Sequence, residues 1–304
     1  MIYTLTFNPA LDYVMFMDQD PLSGQTNRSR AEAIYYGGKG INVSMVLKAL
    51  GLDSTALGFI AGFTGKAIED GLHAKGIRTD FIKLPAGNSR INIKLKSQSE
   101  TEINAQGPDI PDTSIAALFD KLKMLNDGDT LILAGSIPSS LEDNTYELII
   151  KSLKDKKVRL VIDASGDLLL NVLPYRPFLI KPNLDELEEI FKIKIQTDDE
   201  IVKYASQLRS RGAFNVLVSL AGRGAILLTQ NDQIIKIDAC KGHVKNSVGA
   251  GDSMVAGFLY GYFTYGNFED ALKMGTAAGC ASAFSENLAS RALIETLYKD
   301  LKQA

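Results

Sequence analysis

Asp252 closes the run Asn246-Ser-Val-Gly-Ala-Gly-Asp252, and the apolar Ser-Met-Val-Ala-Gly-Phe-Leu follows directly. These residue types describe a glycine-rich turn entering an apolar helix. Backbone N–H groups at Gly249, Ala250 and Gly251 would face an anion, backed by the positive end of the helix dipole, with no bulky side chain in the way. A carboxylate at that mouth repels the anion. Its presence makes sense if it takes a proton from a hydroxyl attacking a bound phosphate, so the stretch points to phosphoryl transfer to an alcohol. As a bare pattern the same run is a helix cap, with glycine for the turn and Asp in the first helical turn. The helix dipole and any nearby cation predict that Asp252 is held ionised at neutral pH.

Four other runs carry residues of matching chemistry. Phe7-Asn-Pro-Ala-Leu-Asp12 ends the first apolar strand, and ligand crevices of open α/β sheets lie beyond strand C-termini, where Asp12 would bind paired hydroxyls or simply make a turn. In Gly37-Gly-Lys-Gly-Ile-Asn42 the glycines allow close backbone approach, Lys39 reaches a charge and Asn42 a hydroxyl; a helix-entry loop with a solvated lysine is the plainer reading. Ile180-Lys-Pro-Asn-Leu-Asp-Glu-Leu places Asn183 and Glu186 three apart on one helical face. An amide and a carboxylate so placed can position a hydrated Mg²⁺, and the same pair is also a capping box. Ser219-Leu-Ala-Gly-Arg-Gly-Ala225 follows a buried strand and suits nucleotide phosphates or a hairpin turn into Ile226–Thr229. Neither G-x-G-x-x-G after the first strand nor G-x-x-x-x-G-K-[ST] occurs, which removes dinucleotide and Walker sites.

Elements that could position these residues follow from the apolar pattern. Ile2–Phe7, Ser54–Ile60, Thr130–Ala134, Leu160–Ala164, Phe178–Ile180 and Val216–Leu220 read as strands buried on both faces. Helical periods fall at Ile41–Leu50, Thr113–Leu125, Asn144–Lys154 and Asp198–Arg211, then at Gly251–Phe263, Phe268–Ser285 and Ser290–Lys302. The alternation predicts an α/β sheet flanked by helices in one domain spanning 1–304. Two segments, at about 12–36 and 88–106, instead alternate polar and apolar residues, as in Arg90-Ile-Asn-Ile-Lys-Leu-Lys96. They predict a small separate sheet that forms a lid or a dimer surface.

Composition narrows the class. Of 304 residues, 45% are hydrophobic and 23% charged, which suits a globular enzyme with a large core. A net charge of −3 argues against nucleic acid or an anionic membrane as partner. Cys240 and Cys280 form no C-x-x-C pair, and His73 and His243 have no ligand-spaced neighbour, so zinc and a Cys-His nucleophile are not expected. The start Met1-Ile-Tyr-Thr-Leu-Thr-Phe7 lacks a basic n-region and cleavage site, and a cytoplasmic place is expected.

Taken in order, the Gly-Gly-Lys-Gly-x-Asn run near residue 40, the Lys181-Pro-Asn run, Ser219-Leu-Ala-Gly-x-Gly and the Gly-Ala-Gly-Asp run resemble the ribokinase/PfkB family of sugar kinases over essentially the whole chain. Thr4-Leu-Thr-Phe-Asn-Pro-Ala-Leu-Asp12, Arg90-Ile-Asn and Gly135-Ser-Ile-Pro138 resemble its branch acting on sugar phosphates. The resemblance implies a ribokinase-like three-layer α/β/α sandwich with a small β-sheet lid. It also implies ATP- and Mg²⁺-dependent phosphorylation of fructose 1-phosphate at the C6 hydroxyl, with tagatose 6-phosphate or fructose 6-phosphate as alternative acceptors. Non-catalytic sugar-phosphate sensing is the remaining alternative.

Residue by residue, the resemblance makes Asp252 the base and Gly249, Ala250 and Gly251 the anion hole. Asp12, Gly38 and Asn42 would hold sugar hydroxyls; Lys39 and Arg90, with Arg28, would take the substrate's own phosphate. Lys181, Asn183 and Glu186 would organise Mg²⁺ and the ATP phosphates, and Ser219, Gly222 and Gly224 would line the nucleotide site. Ala221 stands where the family usually has glycine. Family habit and exposed strand edges together imply a homodimer through the lid strands.

Overall fold

Strand residues of alternate parity go to opposite faces of a large sheet, and this sorts the core into two halves. Leu131, Leu133, Leu160, Ile162, Val216 and Val218 pack with the helices Asp112–Leu122, Thr145–Ser152, Leu184–Phe191 and Asp198–Ser210. Ile132, Ala134, Val161 and Leu217 pack on the other face with Lys39–Leu50, Ala250–Tyr265, Phe268–Ala283 and Arg291–Gln303. Two helical layers therefore enclose one sheet, the three-layer α/β/α sandwich expected from the apolar runs. This architecture is seen in a computed structural model, which describes residues 1–303.

The large sheet has ten strands. From one edge the order is Ile234–Ile237, Ala225–Leu228, Asn215–Ser219, Leu179–Ile180, Arg159–Asp163, Thr130–Ala134, Ile2–Thr6, Thr55–Ile60 and Arg78–Thr79, with Ile82–Lys83 also paired to Thr55–Ile60. Its strands all run in one direction except Ala225–Leu228, which pairs antiparallel with both of its neighbours, Asn215–Ser219 and Ile234–Ile237. The parallel arrangement brings Thr6, Asp163, Ile180 and Ser219 to one edge of the sheet, where they open the crevice that holds the candidate site.

A second sheet of four strands, ordered Ala31–Gly37, Ala10–Phe16, Arg90–Lys96 and Glu100–Ile103, stands apart from the first. These strands fall in the two segments with alternating patterns. Asp12, Val14, Asn92 and Lys94 share the face turned to the crevice, and the register pairs Asp12 with Asn92 and Val14 with Lys94. Ile34 and Ile91, on the opposite face with Tyr13 and Ile103, are exposed.

Local chemistry sets the helix entries. Gly38 precedes the helix Lys39–Leu50 at φ 125°, and a Cβ there would lie 2.6 Å from Thr6 Cγ2. Gly249 enters Ala250–Tyr265 in the left-handed region at φ 78°. The helix Leu184–Phe191 starts with the reciprocal cap that its sequence allowed. Among the described residues no helix is long and apolar enough to cross a membrane.

Candidate active site

The crevice brings together residues from every run singled out in the sequence. Asp12, Gly38, Lys39, Asn42, Arg90, Lys181, Asn183, Glu186, Ser219, Gly249, Gly251 and Asp252 line a single cavity of about 390 Å³, joined by Asn92, Lys94 and Asp163. Of the residues expected at the site, Ala250, Gly222 and Gly224 do not line it, and neither does Arg28. Arg28 is exposed in the loop between Ala10–Phe16 and Ala31–Gly37, away from the cavity.

Asp252 lies on the first turn of its helix and is only 5% exposed. Asn42 Nδ2 donates to its Oδ2 at 2.8 Å. Glycine at 249 leaves the helix without a side-chain cap, so its first amides stay available to an anion. One part of the expected hole is altered: the Ala250 N–H donates to the Ser247 carbonyl at 3.2 Å. Gly251 and Asp252 supply free amides instead. A Cβ on Gly251 would lie 3.2 Å from Lys181 Nζ, so that ammonium stands against the same helix end.

The expected depression of the Asp252 carboxyl is overturned. Burial and the negative charge of Asp163 raise it to about 7, against the opposing pull of Asn42, Lys39 and Lys181. The helix dipole is worth little against the removal of water from a carboxylate.

Asp163 is the functional residue that the sequence reading missed. It ends the strand Arg159–Asp163 and is 1% exposed. Lys181 Nζ lies 3.1 Å from one of its oxygens and Lys39 Nζ 3.5 Å from the other. Burial pushes its carboxyl up, but the two ammonium groups together hold it below the usual carboxylate range. Lys39 and Lys181, assigned to substrate and nucleotide phosphates respectively, thus share one buried counter-charge. Lys39 is held above the ordinary lysine value, because Asp163, Asp252 and Glu186 together outweigh the cost of its burial.

On the sugar side, Asn92 Nδ2 donates to Asp12 Oδ1 at 2.8 Å, which orients that carboxylate. A Cβ on Gly37 would lie 2.4 Å from Asp12 Oδ2, so glycine is what admits this carboxylate. Arg90 Nε donates to the Asn8 carbonyl at 3.1 Å. Burial lowers its guanidinium from the ordinary value although Asp12 opposes the shift, and an anion in the cavity would relieve that cost.

Asn183 and Glu186 form the capping box: Glu186 N–H donates to Asn183 Oδ1 and Asn183 N–H to Glu186 Oε2, each at 2.8 Å. The Glu186 side chain still lines the cavity, so cap and site are compatible. Among the described residues no three His, Cys, Asp or Glu side chains form a metal cage. A cation that keeps most of its waters fits better. The buried oxygens of Asp163 have no aligned hydrogen-bond donor, the lysine contacts being ion pairs by distance alone, and Glu186 faces the same space.

Ser219 lines the cavity, while Gly222 and Gly224 stand beyond it in the hairpin joining Asn215–Ser219 to Ala225–Leu228. The run forms the hairpin turn that its glycines allowed. Ala221 there takes a positive φ of 49°.

Comparison with known proteins agrees with this geometry. The model of the pfkB family carbohydrate kinases matches residues 5–294. The chain is 44% identical over 302 residues to a protein named 1-phosphofructokinase from Bacillus subtilis, covering 99% of each. It is 39% identical over 290 residues to one named D-tagatose-1-phosphate kinase from Bacillus licheniformis, covering 95% of this chain and 94% of the relative. The solved phosphofructokinase-2 from Escherichia coli, in complex with substrates and products, superposes with a TM-score of 0.93 at 25% identity, covering 99% of each chain. The chain belongs to the pfkB family of carbohydrate kinases.

Proposed function

We propose that the protein transfers the γ-phosphoryl group of ATP to the C6 hydroxyl of fructose 1-phosphate, giving fructose 1,6-bisphosphate. The observation that carries this reading is Asp252, a buried carboxylate raised to about 7 at the mouth of an uncapped helix N-terminus. Such a group accepts a proton near neutral pH and gives it up again, as a general base must. The full-length likeness to relatives named for 1-phosphate kinases selects the acceptor.

Asp252 takes the hydroxyl proton, and Asn42 fixes which carboxylate oxygen remains open. The Gly251 and Asp252 amides, with Lys181, lie where charge develops on the transferring oxygens. Asp12, oriented by Asn92, and the backbone at Gly38 hold sugar hydroxyls. Asn183 and Glu186 would hold a hydrated Mg²⁺, which neutralises charge on the ATP phosphates when bound. Ser219, which also lines the cavity, would meet the nucleotide.

The 6-phosphate acceptors, tagatose 6-phosphate and fructose 6-phosphate, are the second reading, because the same hydroxyl clamp accepts them if the phosphate lies elsewhere. Steady-state kcat/KM with ATP on the three sugar phosphates side by side decides. A preference for either 6-phosphate overturns the acceptor named here. Two further parts belong to the same reading: a cytoplasmic enzyme, and a homodimer that covers Ile34, Ile91 and Ile103, which are 53, 39 and 56% exposed. Sedimentation of Ile34→Asp beside the wild type tests the second.

A further inference from the structure

Lys39 is committed to Asp163 at the transfer end of the cavity, so a sugar's own phosphate needs other cations. The strand Arg90–Lys96 supplies them. Its even-numbered residues Arg90, Asn92, Lys94 and Lys96 share one face, since successive strand side chains alternate. Arg90 spends only Nε, on the Asn8 carbonyl, and no donor bond occupies its terminal nitrogens among the described residues. Asn92 is spent on Asp12. Lys94 is 8% exposed, yet it lines both the transfer cavity and an adjoining one of about 330 Å³.

A buried ammonium needs a partner, and Lys94 has a weak one. Its Nζ lies 3.1 Å from Glu102 Oε1, and the Glu102 side chain, on the edge strand Glu100–Ile103, is 34% exposed. An exposed carboxylate contributes little as an ion-pair partner, whereas a phosphate dianion bound to the same ammonium contributes more. Lys96 makes the same cross-strand pair with Glu100 at 3.6 Å but lines only the adjoining cavity, not the transfer cavity.

We propose that Lys94 is a specificity-determining residue which, with Arg90, receives the substrate's own phosphate, and that Glu102 is the stand-in carboxylate that the phosphate displaces. The proposal rests on a sugar phosphate as acceptor. It also gives the two halves of one ion pair opposite effects, because Lys94 attracts the phosphate and Glu102 competes with it.

The test is steady-state kinetics of wild type, Lys94→Met, Glu102→Gln and Lys96→Met with fructose 1-phosphate and ATP. Lys94→Met raises KM for fructose 1-phosphate roughly 10- to 100-fold, leaving KM for ATP and kcat within about threefold. Glu102→Gln lowers the same KM about two- to fivefold, and Lys96→Met leaves it unchanged. A purely structural strap overturns the proposal by moving Lys94→Met and Glu102→Gln in the same direction, or by shifting only their melting temperatures. A raised KM for ATP in Lys94→Met overturns it too. Calorimetric titration with fructose 1-phosphate separates the two readings: wild type that binds it without turnover sinks the proposed activity, and the affinity of Lys94→Met still decides the subsite.

Discussion

The Asn42 amide donates to Asp252 Oδ2 at 2.8 Å, linking the glycine-rich entry near residue 40 to the proposed base 210 residues further along the chain. The bond favours the ionised carboxylate against the burial that opposes it. Asn42→Ala removes it, so the acidic limb of the kcat profile moves to higher pH by about half to one unit. Turnover falls most below pH 7 and recovers at pH 9. A limb that stays in place would show that Asn42 does not act through Asp252.

Asp252→Asn separates catalysis from stability. Turnover drops by about 10²–10⁴-fold, since the base is lost while the cavity keeps its shape. Stability moves the other way. The folded carboxyl sits at about 7 against an ordinary 3.8, so between these values the folded state binds more protons than the unfolded one, and stability falls as pH rises through that window. The amide carries no charge and escapes this loss. Denaturant unfolding should find Asp252→Asn more stable than wild type by roughly 1–3 kcal/mol at pH 8 and no more stable at pH ~2.5, where both states of the wild type are largely protonated. Equal stability at pH 8 would contradict the cost assigned to burial.

Asp163 behaves oppositely, because Lys39 and Lys181 both depend on it. Its depressed carboxyl contributes stability above the unfolded value, lost as pH falls through the folded one. Asp163→Ala leaves two partly or fully buried ammonium groups facing each other and should cost about 3–5 kcal/mol. The substitution also removes the charge that raises Asp252, so in any folded variant the acidic limb of kcat moves to lower pH. A limb moving upward would exclude Asp163 as the cause of the shift at Asp252.

These electrostatic facts explain what was legible in the sequence and what was not. Asp12, Lys181 and Ser219 could be found because buried apolar runs end near them, and a parallel sheet gathers such ends at one edge, while Asn42 was marked by its glycine run at a helix entry. Asp163 also ends such a run, but Val-Ile-Asp-Ala-Ser-Gly carries no charge partner in sequence. Its meaning comes from two lysines brought to it by the fold. The sign of the shift at Asp252 was illegible for the same reason: helix dipole and cations can be read locally, but burial cannot. The helix Gly62–Ala74 escaped notice because Gly62, Gly65 and Gly71 argue against a helix. Close packing explains two of these: a Cβ on Gly71 would lie 1.9 Å from the Tyr36 ring, and one on Gly65 would lie 2.9 Å from Ile60.

The hairpin after Ser219 offers a contrast between two glycines that the family resemblance treats alike. Gly224 has φ 92°, and a Cβ there would lie 2.0 Å from the Ile237 carbonyl oxygen, so the edge strand must move to admit it. Gly222 has nothing within 4 Å of its would-be Cβ. Gly224→Ala should therefore cost about 2–4 kcal/mol of stability through strain and the displaced strand. Gly222→Ala should stay within about 0.5 kcal/mol of wild type, so any rise in its KM for ATP reports a nucleotide contact and not a damaged fold. Urea unfolding of both variants beside their ATP kinetics makes the comparison. Equal loss of stability in the two would refute the backbone clash, and an unchanged KM for ATP in Gly222→Ala would remove that residue from the nucleotide site.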